Sequence, residues 1–307
     1  MDQAEWKLLK EIAELEKTPQ GAYNIRRNGA LDSRNSTANI EITTKTEPGK
    51  SGIDIHVKPG TKHESVHIPV IISQTGLSEL VYNDFFIGED CDVDIVAGCG
   101  IHNTGCETSQ HDGVHTFHIG KNSKVRYVER HYGEGDGRGE NIMNPTTVVE
   151  MDEDSYMEME TTQIKGVDST VRTTNAKLGP RATLIIREKV MTHGRQLAKS
   201  DFTVDLDGED CHTNVISRSV AKDQSRQVFL ARINGNARCY GHSECDAIIM
   251  DQGVVAAIPE VTANCVDASL VHEAAIGKIA GEQLTKLMTL GLTEKEAEEQ
   301  IVNGFLK

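Results

Sequence analysis

The passage Ile87-Gly88-Glu89-Asp90, running into Asp92-Val93-Asp94-Ile95-Val96, carries the fold of this chain. A Gly-acidic turn enters a short β-branched run that alternates with polar residues, which is the signature of a turn and a strand. The unit recurs. Ile119-Gly120-Lys121-Asn122 precedes Lys124-Val125-Arg126-Tyr127-Val128, and Leu178-Gly179-Pro180-Arg181 precedes Thr183-Leu184-Ile185-Ile186. Leu206-Asp207-Gly208-Glu209 precedes Thr213-Asn214-Val215-Ile216, and Met151-Asp152-Glu153-Asp154 is a fifth turn of the same kind. Gly88, Gly120, Asp152, Gly179 and Gly208 are separated by steps of 32, 32, 27 and 29 residues. A strand-turn unit of that period cannot bury its apolar face alone, and stacking the units gives every strand a neighbour. Aromatic residues make up 4% of the chain, which suits a narrow core of Val, Ile, Leu and Thr. The pattern therefore predicts a mainly β solenoid, and its uneven step leaves an ordinary β-sandwich open as the alternative.

The flanks read differently. Trp6, Leu9, Ile12, Ala13 and Leu15 have the spacing of an amphipathic helix, which Thr18-Pro19-Gln20-Gly21 ends. Residues 26–52 are polar and read as a loosely held lead-in. Towards the other end, Ala274, Ile276, Ile279, Ala280, Leu284, Leu287 and Met288 form a helical stripe over Leu270–Leu290. Gly291 stops it, and Thr293 with Glu296 makes a capping box for a second helix.

Composition narrows the function. The formal net charge of −15 argues against binding nucleic acid or an anionic membrane. No run approaches the roughly 18 apolar residues of a membrane span, and the N-terminus has no signal-peptide pattern. Seven cysteines scattered over 307 residues do not make a disulfide framework. A soluble, cytoplasmic, reduced protein is expected. There is no phosphate loop of the Gly-x-x-x-x-Gly-Lys-[Ser/Thr] type, no Gly-x-Ser-x-Gly elbow and no Cys-x-x-Cys pair. The acidic turns Glu89-Asp90 and Glu153-Asp154 read as solvated charge.

Two constellations hold soft ligands. Near the C-terminus stand Cys245, Cys265, His272 and Glu273, with His272 and Glu273 expected in the first turn of a helix; the set lacks the second histidine of a zincin. Thiolate with imidazole suits iron–sulfur or zinc chemistry. The bland reading is two buried cysteines and a first-turn histidine. In the middle, Cys99, His102, Cys106 and His111 approach metal-ligand spacing, with His115 and His118 following. That set supports an alternative function, a zinc- or iron-dependent β-helix enzyme, against a solvent-facing ladder of histidines.

The ordered string Ser217-Arg218-Ser219, Ser225-Arg226, Cys245-Asp246-Ala247-Ile248, Ile258-Pro259, His272-Glu273-Ala274, Gly281-Glu282-Gln283-Leu284, Gly291-Leu292, Glu296-Ala297 and Val302-Asn303-Gly304-Phe305 resembles the SufB/SufD scaffold family of the Suf iron–sulfur assembly system. The resemblance is dense over 217–305 and looser from Asp54 onward, and the chain resembles the compact form of the family. It implies a right-handed parallel β-helix core with an N-terminal helix and a C-terminal helical hairpin. The expected division is a helical lead-in at 1–52, the β-helix at 53–266 and an ATPase-docking unit at 267–307. It implies a scaffold for transient iron–sulfur clusters rather than an enzyme. The partners implied are a SufC-like ABC-type ATPase, a sulfur donor, and a second scaffold subunit, either this chain as a homodimer or a SufB/SufD paralogue. Cys245 matches the family's Cys-Asp-[Ser/Ala] cysteine, and His272-Glu273 its His-Glu pair, so these three are the expected cluster or iron ligands. Leu284, Leu287, Met288 and Phe305 are expected to dock the ATPase. One departure concerns sulfur delivery. The longer SufB proteins carry a sulfur-accepting cysteine in a central strand, whereas Asn144-Pro145-Thr146-Thr147 has none here. Cys99, Cys106, Cys211 and Cys239 are the candidates to replace it.

Overall fold

The computed structural model describes residues 1–307. Two ten-stranded sheets face one another, and the chain passes from one to the other at each half-turn to build a β-solenoid of about eight turns. The sandwich alternative falls because, beyond the first strands of the chain, neighbouring strands within a sheet are parallel and one turn apart. Asp92 pairs with Lys124, Lys124 with Tyr156, Tyr156 with Thr183, and Thr183 with His212. These offsets reproduce the steps of the turn motif. The repeat is uneven because the longer early turns accommodate the loops at 103–108 and 135–140.

The turns stack as well as the strands. Gly88, Gly120, Asp152, Gly179 and Gly208 each donate a backbone N–H to the turn before, at 2.8–2.9 Å. Two residues on in the first four turns and in the last, Asp90, Asn122, Asp154, Arg181 and Asp210 hold left-handed backbone with φ of 55–59°. Asp and Asn tolerate that conformation better than other L-residues, which explains the composition of the turns. Inside, period-2 alternation sends Phe85, Phe117, Val149, Ala176 and Val204 into one core cluster, where Phe85 and Phe117 stack at 4.4 Å.

Helix α1 (Gln3–Ala13) begins with a capping box, in which Asp2 and Glu5 satisfy each other's backbone N–H groups. It buries Leu8, Leu9, Ile12 and Ala13 against Ile25 and Ile71 on the outer face of the first sheet. The approach is close. A Cβ on Gly98 would lie 2.5 Å from the Arg130 carbonyl oxygen and 2.9 Å from that of Ile12, so only glycine fits there.

Two expectations are corrected. Residues 26–52 are not a loose lead-in: Ala22–Arg27, Ala30–Asn35 and Ile40–Thr44 are strands. They close the N-terminal end with antiparallel pairings. The stripe from Leu270 is not one helix. Ala268–Gly277 is a strand, and only Gly281–Thr289 (α2) and Glu294–Phe305 (α3) are helical. At this end the strands Val254–Ala263 and Ala268–Gly277 are the last of their sheets, so each leaves one edge unpaired. Val254, Ile258, Val261, Val271 and Ile276 are exposed there, and Val266 is 96% exposed.

Candidate functional site at the open end of the solenoid

Cys245 lies on the strand Cys239–Ile249, points inward and is fully buried. Burial pushes its thiol up to about 12, with Glu188 and Asp246 adding to the effect. His272 lies on the final strand, in register with Ser243, and its Nδ1 is 2.6 Å from Ser243 Oγ. Ala274 pairs with Cys245, so His272 and Cys245 share the inner face as diagonal neighbours on adjacent turns. Burial, and then His242, lower the His272 pKa, which favours the neutral imidazole that ligates metals. Glu273 alternates to the outer face, in register with Glu244. The helical placement of His272 and Glu273 is thus overturned: in a strand, adjacent residues point to opposite faces. Within one chain no three His, Cys, Asp or Glu side chains converge to hold a metal ion.

The central set is divided between faces. Cys99 is buried on the inner side and pairs with His131. His111 enters the same lumen from the opposite sheet, its Nδ1 3.1 Å from Glu79. His115 follows it inward, with Nδ1 2.7 Å from the Tyr127 hydroxyl. His102 lies 3.3 Å from Glu134, His118 pairs with Glu150 at 2.8 Å on the outside, and Cys106 sits exposed in a loop. The structure therefore brings Cys99 and His111 to one small cavity with His115, Glu129 and His131, and leaves His102 and Cys106 out of it. Of the four candidate sulfur acceptors, Cys106 alone is exposed.

The docking residues divide too. Phe305 packs with Val302 and Leu306 against Val220, Met191, Ile248 and Met250, anchoring α3 to the solenoid. Leu284 and Leu287 are half-buried, Met288 is 43% exposed, and α2 has no buried residue.

The description "SUF system FeS cluster assembly, SufBD core domain" fits residues 80–305. The chain belongs to the SufBD family. It is 31% identical over 270 residues to the iron-sulfur cluster assembly SufBD family protein of Methanocaldococcus jannaschii, covering 87% of this chain and 84% of that one. A relative of the same description in Archaeoglobus fulgidus is 29% identical over 262 residues, 84% of this chain and 68% of its own. In Methanothermobacter thermautotrophicus the identity is 25% over 284 residues, 90% of this chain and 67% of the relative. Family membership gives the chain a role in iron–sulfur cluster assembly. No helix is long and apolar enough to cross a membrane.

One part of this SufBD lumen escaped the sequence reading. Along the inner face of the first sheet, Glu129, Thr161, Glu188, Ser217 and Cys245 occupy one register column. Glu188 accepts hydrogen bonds from Ser200 Oγ at 2.5 Å and Ser217 Oγ at 2.8 Å. Arg172, from the facing sheet, pairs with Glu129 and brings its Nε to 3.7 Å from Glu188. Burial opposes the Glu129 charge, yet Arg172, His131 and His115 hold its carboxyl well below the usual range. The sequence did hold a signal. Glu188, Ser217 and Cys245 are one repeat apart, so numbering by turns aligns them.

Proposed function

We propose that this chain is a scaffold on which a nascent iron–sulfur cluster forms where the open ends of two solenoids meet. The observation that carries the reading is the position of Cys245 and His272, on one inner face in the last two turns, beside unpaired edges and exposed apolar side chains. Strand addition at such an edge satisfies backbone donors and covers the apolar rim. A two-fold pairing of identical chains would then supply a thiolate and an imidazole from each side. Metal binding provides the countercharge that burial denies the Cys245 thiolate. Glu273, on the outer face of the same strand, would hold iron in passing, and mixed ligation suits a site that must release its product. The seven unpaired cysteines suit a reducing compartment, as expected for a cytoplasmic protein.

The test is anaerobic reconstitution with iron and sulfide, followed by visible absorption and Mössbauer spectra. Cys245→Ala and His272→Ala are expected to abolish the cluster and His102→Ala to leave it intact. A cluster lost only with His102→Ala would move the chemistry to the central set. Ultracentrifugation of the same samples distinguishes a homodimer from a chain that waits for a paralogue.

Docking of a SufC-like ATPase is assigned to α2, because Phe305 is already engaged by the solenoid while Leu284, Leu287 and Met288 lie along a helix with no buried side chain. Leu287→Glu is expected to abolish co-purification with the ATPase while changing stability by less than about 0.5 kcal/mol. Retained binding by a folded Leu287→Glu chain would count against α2 as the contact.

A further inference from the structure

A small cavity lies in the lumen, five strands from Cys245 along the first sheet. Cys99 and His131 line it from that sheet, His111 and Gly113 from the facing one, and Val70 is an apolar wall. Its volume is about 10 Å³, close to the least that holds one water. Cys99, His111 and His131 are each more than nine-tenths buried.

Two of its imidazoles keep an unanswered acceptor. His111 Nδ1 donates to Glu79 Oε1 at 3.1 Å, which leaves Nε2 with a bare lone pair. That Nε2 lies 3.4 Å from where a Cβ of Gly113 would stand. His131 Nε2 faces Glu129 Oε1 at 3.6 Å, and a carboxylate there favours the proton on Nε2. Its Nδ1 is then an acceptor as well, buried and without a partner in the fold. A buried acceptor left so costs the desolvation of the group. His115 is already satisfied: its Nδ1 donates to the Tyr127 hydroxyl, and its Nε2 accepts from Asn83 Nδ2 at 3.3 Å.

We infer that this cavity holds a single ordered water, which donates one hydrogen to His111 Nε2 and the other to His131 Nδ1. Two acceptors need a molecule with two donors, and the space admits nothing larger than water. The Cys99 S–H, on the same wall, is a weak donor for its oxygen. A metal ion would seek the same lone pairs. Against it, no three ligating side chains converge. Burial also pushes the Cys99 thiol well above its ordinary range, so it keeps its proton. The bound water fixes both tautomers and keeps the His131 Nε2–H on Glu129, the carboxylate that pairs with Arg172. It also joins Glu79 to Glu129 in one polar path across the lumen. The site is independent of the cluster reading, since neither Cys245 nor His272 lines it.

The test is a high-resolution crystal structure of the full chain, joined to solvent magnetic relaxation dispersion, which counts long-lived buried waters. In the wild type a density peak is expected within hydrogen-bond distance of both His111 Nε2 and His131 Nδ1. Gly113→Ala should remove that peak and one long-lived water, because its methyl would stand 3.4 Å from His111 Nε2. The Gly113 backbone is not left-handed, so alanine adds no φ strain there. His131→Leu, which removes one acceptor, should lose the same water, and Cys106→Ser, in an exposed loop, should keep it. Circular dichroism checks the fold of each variant, and the wild-type peak decides alone if either cavity variant fails to fold. An empty cavity in the wild type, a metal ion found there by elemental analysis, or a water count unchanged in both cavity variants overturns the inference.

Discussion

Arg172→Met is expected to destabilise the solenoid by about 3–5 kcal/mol, the largest effect of any single change outside the apolar core. Arg172 is the cation that faces the inner polar column from the opposite sheet, buried between the two sheets. Its guanidinium pairs with Glu129 and faces Glu188, both equally buried. Without it two carboxylates remain in the lumen with only hydroxyls and imidazoles for company. The measurement is urea unfolding followed by circular dichroism. Glu129→Gln combined with Arg172→Met should recover part of the loss, because it removes one of the stranded charges. An unfolding midpoint unmoved by Arg172→Met would mean that the column carries no charge in the folded chain.

Acid is expected to unfold the protein early, and the lumen histidines set the sign. Burial lowers the His115 pKa to about 4, and burial lowers that of His131 in the same direction. An unfolded chain takes up those protons near pH 6.5, so the folded state binds fewer protons across the interval between. Stability contributed by these neutral imidazoles is complete above about pH 6.5 and falls as the pH drops towards about 4. For His115 alone the interval corresponds to about 3 kcal/mol. Glu129, whose carboxyl is held low in the fold, adds a second loss below the ordinary carboxylate range. Urea midpoints measured across the acid range should decline well before the carboxylates titrate. His115→Gln, which cannot charge, should flatten the upper part of that decline. A wild-type midpoint constant from neutrality down to about pH 4.5 would refute the assignment.

The solenoid was legible because its turns repeat in both composition and spacing. Asp90, Asn122, Asp154 and Asp210 are the residues that a left-handed corner tolerates, and the steps between the turns became the pairing offsets. The last strand was not legible. Val271, Ala274 and Ile276 satisfy a helical stripe as readily as a strand, since alanine favours neither burial face and the strand is half-exposed at the end of its sheet. With that misreading went the relation between His272 and Glu273, which a helix puts on neighbouring positions and a strand sends to opposite faces. The identities of Cys245 and His272 came from motif resemblance, and their shared face came only from the register. The central set failed as a unit for the same reason. Cys99 and His111 point inward from opposite sheets, while Cys106 lies in a loop that spacing along the chain does not reveal. Arg172 was invisible because a charged residue in a β-rich stretch reads as a solvent face unless the turns are aligned first.

The two ends of the solenoid are unlike. At the N-terminal end, Ala30–Asn35 and Ile40–Thr44 are short strands turned antiparallel to their neighbours, with Asp32, Arg34 and Glu41 among their side chains. At the C-terminal end, ten-residue strands continue the parallel register to an uncovered rim. A rod with two matching ends would polymerise, each copy offering its neighbour a fresh template. Here only one end accepts a continuing strand, and short charged edges discourage growth at the other. Two such rods joined as proposed would consume both acceptor ends at once, so that assembly would terminate at a pair and a fibre would not propagate.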